Sequence, residues 1–284
     1  MTFALAVGWA SPASAQARMW VIRDADSTIY VMGTIMLRSG VNWRSPKIDS
    51  ALKEATELWL ETPDGEPSAQ DDQNLRALMT AGLSSAATIS ELLSPDDRKL
   101  WLSVTESVSA FFPVREIERL RPWAASKFVD IAHGIQAGYD VELGVEDVLS
   151  TTAREQGDTI KGLESVETAA ALMRSMIALP EKQQLDVLRL SLKSLASDAA
   201  DRATDAWAHG NVTLIEAQIG EMRANSPAQY EIMIAKRNEN WAGQIQDLLK
   251  GAGVSFIAVG AGHLVGPDSL QIKLKAKGID VADY

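Results

Sequence analysis

The chain has no cysteine and only three histidines among its 284 residues. Without cysteine it can form no disulfide, no thiolate metal site and no cysteine nucleophile. Basic residues are also few: 27 Lys and Arg stand against 38 Asp and Glu, which gives a net charge of -11. They form no basic stripe. This balance argues against a nucleic-acid backbone or an anionic membrane surface as the partner.

The first 17 residues carry no charged side chain. An apolar segment at residues 2–10 is followed by alanines at 13, 15 and 17, the pattern of a secretory signal with its cleavage site. The basic residues that usually precede such a segment are missing, so a poorly ordered apolar tail is the alternative. We predict a signal peptide over residues 1–17 and a periplasmic or secreted domain over residues 18–284. No later segment is apolar over the length that a transmembrane helix needs.

Strand patterns lie at both ends of the chain, and helical patterns fill the middle. The apolar fraction of 46% is that of a soluble globular protein. We predict an α/β fold with one domain, in which a mixed sheet built from both termini carries a large helical layer inserted at about residues 69–250. A polar loop at residues 63–69 separates the two parts. The predicted strands are residues 19–22, 28–32, 57–61, 159–164, 254–259 and 279–281.

Four of these strands lead into a residue that could bind a ligand. Residues 254–259 run into Gly260 and Gly262 and then into His263. The strand at 28–32 runs into Gly33 and then into Met36 with the same spacing, so methionine stands where the other copy has histidine. Glycines at strand ends let a substrate, a cofactor or another backbone approach closely, so Gly33, Gly260 and Gly262 are candidate binding positions.

Two glutamates complete the predicted strand-end set. Glu61 and Glu164 each end a strand, and strands of an open α/β sheet place their carboxyl ends at one edge. Histidine and carboxylate ligands suit manganese, cobalt or zinc, which could activate water for hydrolysis. The predicted metal ligands are therefore His263, Glu61 and Glu164, and Glu61 and His263 are also catalytic candidates.

Each candidate has a structural alternative. Glu61 could cap a helix or pair with an arginine, and Glu164 could be an acid in the first turn of the next helix. Met36 could be a packing thioether, because methionine is a soft ligand that suits carboxylate-bound metals poorly. His133 and His209 fit partly exposed helix positions better than ligand positions. Arg237 lies in a polar helical segment that could be solvated, or its guanidinium could orient a carboxylate of the site.

Several motifs together resemble the TraB/GumN family, which is related to the Tiki metalloproteases. They are YVMGTIM at residues 30–36, LWLE at 58–61, YDVELGVED at 139–147, GLE at 162–164, RNENW at 237–241 and VGAGHLVGPD at 259–268. The resemblance spans residues 19–284. The segment from residue 259 to residue 268 is its most specific part.

The resemblance implies a metal-dependent hydrolase with two Gly-x-x-His motifs and an acidic residue, and for the Tiki branch a metallopeptidase. GumN-type members are linked by name to exopolysaccharide gene clusters. By this resemblance, His263 corresponds to the histidine of the second motif and Glu61 to the acidic residue, and Arg237 also belongs to the site. Met36 departs from the family pattern, because the first motif has histidine at this position. Two hypotheses follow: a hydrolase of peptide or other amide or ester bonds, or an inactive envelope protein that binds a peptide, a small molecule or a glycan, or that assists assembly.

Overall fold

A computed structural model describes residues 16–37, 40–62, 77, 87–109, 113–139, 144–196 and 199–284. The predicted signal peptide, up to residue 15, and the predicted loop at 63–69 lie outside these residues. Residues 140–143 of the YDVELGVED motif lie outside them as well.

Six strands form one mixed sheet, as the sequence predicts. They are Met19–Arg23 (β1), Ser27–Thr34 (β2), Glu57–Leu60 (β3), Thr159–Gly162 (β4), Gly253–Gly260 (β5) and Ala282–Asp283 (β6). The order across the sheet is β4-β3-β5-β2-β1-β6. The four strands β4, β3, β5 and β2 are parallel, whereas β1 and β6 join antiparallel at one side.

The central strands are buried on both faces, which explains their near-continuous apolar sequences. In β2, Tyr30 and Met32 belong to one core cluster, while Ile29 and Val31 belong to the cluster on the opposite face. The alternation follows from the period of two in a strand. A third apolar cluster, which includes Trp101, lies within the helical layer.

Helices supply the rest of the described chain, mostly between β3 and β5. They are Pro46–Glu54 (α1), Ile89–Leu92 (α2), Pro95–Val108 (α3), Val114–Ile117 (α4), Pro122–Ala137 (α5), Val145–Gln156 (α6), Val166–Ile177 (α7), Glu181–Ala196 (α8), Ala199–Ala208 (α9), Thr213–Asn225 (α10), Pro227–Tyr230 (α11), Lys236–Leu248 (α12) and Leu270–Ala276 (α13). A π-helical turn, Glu231–Ala235, joins α11 to α12. None of the helices in the described ranges is both long and apolar enough to cross a membrane.

Local capping signals in the sequence mark helix ends correctly. The Ser45 hydroxyl accepts a hydrogen bond from the Ile48 backbone N–H, and the Ser165 hydroxyl accepts one from the Thr168 N–H. Gly157 ends α6 with a φ of 80°, the left-handed conformation that glycine adopts most easily.

Two predicted boundaries near the C-terminus are wrong. The pattern from Pro267 to Lys277, closed by Gly278, predicts the last helix, but the helix begins at Leu270, because residues 265–269 first leave the turn that follows β5. The last strand is Ala282–Asp283 instead of 279–281, because Gly278 ends the helix and the next residues cross to the edge of β1.

Candidate functional site

Three strand ends deliver the predicted site residues to one edge of the sheet. Glu61 follows β3 directly, Glu164 lies two residues beyond β4, and His263 lies in the short 3-10 turn Ala261–Leu264 after β5. Because these three strands are adjacent and parallel, their carboxyl ends lie side by side. The structure therefore brings Glu61, Glu164 and His263 together, while their catalytic and metal-binding roles stay predictions.

Arg237, from the start of α12, connects all three side chains. Its Nε and Nη2 atoms donate to the two carboxylate oxygens of Glu164 at 2.7 and 3.0 Å. Nη2 also donates to Glu61 Oε2 at 2.6 Å, and Nη1 lies 3.2 Å from His263 Nε2. The guanidinium is buried, so Arg237 does not lie on a solvated helix face. It orients both carboxylates, which is the other of the two alternatives given for this residue.

The π-helical turn before α12 helps to explain why Arg237 faces the sheet. A π turn adds a residue to a helical turn and rotates the residues after it, and such turns are frequent at functional sites. In α12, Arg237, Asn238 and Trp241 are all buried. The Trp241 indole N–H donates to Glu164 Oε1 at 3.1 Å, so this helix supplies three of the contacts to that glutamate.

Asn238 fixes the tautomer of His263. Its side-chain NH₂ donates to the backbone oxygens of His263 and Asp268 at 3.0 and 2.7 Å. The remaining Asn238 oxygen therefore accepts from His263 Nδ1 at 2.7 Å. This leaves the proton on Nδ1 and the lone pair on Nε2, which faces Arg237 and lies 3.7 Å from Glu61 Oε1.

Burial keeps His263 uncharged. Desolvation lowers the pKa of the imidazole to about 4, with the nearby Arg237 charge acting in the same direction and Glu61 opposing both. The Trp241 ring packs beside the imidazole, with ring centroids 4.4 Å apart. His263 is therefore a neutral hydrogen-bonding group above about pH 4.

Glu61 is the most accessible of the three strand-end groups, with 23% of its side chain exposed. Its Oε1 atom accepts the backbone N–H of Gly260 at 2.7 Å. Burial alone would raise the pKa of Glu61, but the His263 imidazole when it is protonated, the charge of Arg237 and the hydrogen bonds from Gly260 and Arg237 outweigh it and lower the pKa. Glu61 is therefore ionised near neutral pH.

Glu146 is a fourth member of the site, and the strand-end pattern does not include it because it lies in a helix. It lies in the first turn of α6, and its Oε1 atom accepts the hydroxyl proton of Thr34 at 2.8 Å. Thr34 pairs with Gly260 in the sheet, and the Gly260 N–H binds Glu61, so the two carboxylates lie near each other. Burial raises the pKa of Glu146 and the negative charge of Glu61 raises it further, while the hydrogen bond from Thr34 opposes both. The one sequence feature that could have identified Glu146 is its position in the YDVELGVED motif, two residues after Gly144.

The candidate glycines act through close packing. A Cβ on Gly33 would lie 3.0 Å from Cα and Cβ of Ala261, so β2 and the turn after β5 require glycine there. Neither Gly260 nor Gly262 has a positive φ, so backbone conformation does not require glycine at these positions. A Cβ on Gly262 would still lie 2.9 Å from Ile219 Cδ1. The binding of a cofactor at these glycines stays a prediction.

Met36 projects away from the buried network. It is 57% exposed and lines a cavity with His133 and Gly134 of α5, so the alternative of a packed core thioether is wrong. His133 is partly buried at this cavity. His209 is exposed just after α9, where its Nδ1 lies 2.7 Å from the backbone oxygen of Asp205, as a helix-end histidine is expected to be.

The predicted metal ligands Glu61, Glu164 and His263 are not arranged to bind a metal ion. The carboxylates of Glu61 and Glu164 accept hydrogen bonds from Arg237, and Gly260 and Trp241 donate to the same groups. A guanidinium therefore lies where a metal bound by both glutamates would lie. Within the described ranges, no group of three or more His, Asp or Glu side chains is placed to hold a metal.

Comparison with known proteins agrees with the motifs. Searches among curated proteins and among solved structures gave no significant match. The model of the TraB/PrgY/gumN family matches residues 18–283, which include every strand of the sheet and all the side chains of the strand-end network. Because this match covers nearly the whole chain, the protein belongs to the TraB/PrgY/gumN family.

Proposed function

We propose that the protein is a hydrolase of amide or ester bonds that acts outside the cytoplasm, with Glu61 as the base and Glu146 as the acid. The observation that carries the proposal is that Glu61 and Glu146 bind Gly260 and Thr34, two residues that pair across the sheet, and that their pKa values shift in opposite directions. The pKa of Glu61 is lowered and that of Glu146 is raised at one edge of the sheet. Two carboxylates whose pKa values are pushed apart are the usual basis for an acid and a base in one site.

The proposed reaction uses water and the two carboxylates. Glu61 takes a proton from water as the water oxygen bonds to the substrate carbonyl carbon. Glu146 then gives its proton to the leaving nitrogen or oxygen as that bond breaks. Arg237 and the Gly260 N–H hold Glu61 in one orientation.

The sequence favours a metal-dependent form of this hydrolase, with manganese, cobalt or zinc. Such a form requires Arg237 to release Glu164 and Glu61, both of which it binds at 3.0 Å or less. The proposed reaction therefore uses no metal. The extracytoplasmic location rests on residues 1–17, and a native protein whose intact mass still includes Met1 would contradict it.

The second candidate is an envelope binding or assembly protein without turnover, for example one linked to exopolysaccharide production. Met36 favours it, because methionine stands where the first motif of the resembled family has histidine. The closed hydrogen-bond network around Arg237 also fits a structural role.

Hydrolysis assays on matched variants test the proposal. Nitrophenyl esters and peptide nitroanilides are offered to the wild type, Glu61→Gln and Glu146→Gln, with exposed Glu155 changed to Gln on the same helix as the control. We expect about a hundredfold loss in each site variant, the low end for a general acid or base, and none in the control. The wild-type rate should fall when decreasing pH protonates Glu61 and when increasing pH ionises Glu146.

Three results would contradict the proposal. They are equal rates in Glu146→Gln and the wild type, activity lost with a chelator and restored by manganese, and no turnover of any substrate. The last result, combined with ligand binding by the wild type, would favour the second candidate.

A further inference from the structure

A cavity of about 310 Å³ lies beside the strand-end site, against the chain that leaves β2. Its β2 side is formed by Ile35 and Met36, the two residues directly after Thr34, which binds Glu146. The opposite side is formed by helices α5, α8, α9 and α10. The cavity therefore begins directly after the residue whose hydroxyl binds Glu146.

The walls of the cavity are largely apolar. Val129, Leu195 and Ala203 line it together with Ile35 and Met36. Its volume is at the lower end for small-molecule pockets, which suits one large side chain better than an extended ligand. Met36 keeps 57% of its surface exposed here, so its thioether is accessible to a ligand in the cavity.

One polar group at the cavity lacks a partner. His133 Nε2 is buried and has no hydrogen-bond partner among the described residues. Asp201 Oδ1 lies 3.8 Å from it, too far for a hydrogen bond, and accepts the Tyr139 hydroxyl at 2.8 Å instead. An unpaired buried nitrogen of this kind is stabilised by a ligand that completes its hydrogen bond.

The charges around the cavity disfavour an anionic ligand. Asp130 lines it, and Asp201 Oδ1 lies 3.8 Å from His133 Nε2. Lys127 pairs with Asp130 at 3.0 Å on the exposed side. The group that fits is therefore apolar, about the size of one aromatic ring, and carries an uncharged hydrogen-bonding atom.

We propose that this cavity is a specificity pocket for a tyrosine-like phenol side chain of the substrate, with Met36 packing on the ring and His133 bonding to the hydroxyl. The proposal rests on the hydrolase function, because it names the substrate group that would be held beside Glu146. Methionine at position 36 provides an apolar surface there, which a histidine would not.

Calorimetric titration with N-acetylated amino-acid amides tests the pocket without requiring turnover. We expect tyrosinamide to bind about tenfold more tightly than phenylalaninamide, since one hydrogen bond separates them, and glycinamide to bind least. His133→Phe should make the tyrosine and phenylalanine probes equal. Met36→Trp should fill the opening and reduce the affinity for tyrosinamide at least tenfold.

The matched control is Ile131→Trp, because Ile131 is also 57% exposed and lies on α5 but does not line the cavity. It should bind like the wild type. Glu61→Gln should also keep binding, so that failure of the catalytic proposal alone leaves this result unchanged. Equal affinity for the tyrosine and glycine probes, tightest binding of lysinamide, or unchanged binding in Met36→Trp would overturn the pocket proposal.

Discussion

Arg237 sets the charge balance of the strand-end site. It is the positive group that contacts the buried Glu164 and the partly exposed Glu61, and Glu164 has only 1% of its side chain exposed. Burial by itself would lower the pKa of Arg237, but its bonds to Glu164 and the charge of Glu61 raise it. The buried charges therefore form one ion-pair network, in which removal of one partner leaves another charge uncompensated.

Arg237→Ala is expected to destabilise the fold by about 3–5 kcal/mol, because it leaves a buried carboxylate without its partner. Urea unfolding measures the loss. Exposed Arg115 changed to Ala is the control and should alter the free energy of unfolding by less than about 0.5 kcal/mol. If both variants unfolded at the same urea concentration as the wild type, Glu164 would not depend on the guanidinium.

Two turns matter most at the scale of elements. The π-helical turn Glu231–Ala235 aims the start of α12 at the sheet, and the turn after β5 packs directly on Gly33 of β2. Both turns position side chains of the site without contributing a reacting group. Close packing of this turn on β2 therefore helps to hold His263 near Glu61.

Gly33→Ala is expected to cost about 1–3 kcal/mol, the usual penalty for an extra methyl group in a well-packed region. Ala261 Cα is backbone and cannot move aside alone. Gly220→Ala is the matched control: it lies in α10 with nothing within 4 Å of its added methyl, so it should gain about 0.5–1 kcal/mol. Thermal unfolding that places both variants above the wild type would contradict the close packing at Gly33.

At the scale of the whole molecule, His263 links stability to pH. Its pKa is about 4 in the folded protein, whereas a histidine in an unfolded chain has a pKa of about 6.5, so the unfolded chain binds the extra proton between these values. Stability is therefore fully present above about pH 6.5 and decreases as the pH falls towards 4. The loss from this group is about 3 kcal/mol by proton linkage.

His263→Gln is expected to flatten the pH dependence of the unfolding free energy between about pH 6.5 and pH 4, the range set by the two pKa values of the imidazole. The exposed His209 changed to Gln should leave that dependence as in the wild type. Denaturant unfolding at a series of pH values measures both. A slope equally steep in the wild type and in His263→Gln would show that another group carries the linkage.

Most of the fold follows from local patterns in the sequence. Apolar runs predicted five of the six strands closely, and the serine caps and Gly157 mark helix ends. Glu61, Glu164 and His263 were recognised because strand ends meet at one edge. Glu146 was missed because an acid in the first turn of a helix is common. Its raised pKa depends on burial and on Glu61, a residue 85 positions earlier in the chain.

The sequence by itself determined the elements, the family and the residues that end each strand, because these depend on local sterics and on the period of buried side chains. The tertiary structure decided that Arg237 pairs with Glu61 across 176 residues, that Met36 faces a cavity instead of His263, and which groups are charged. Strand order and desolvation fix these features. Both arise only when distant segments pack together.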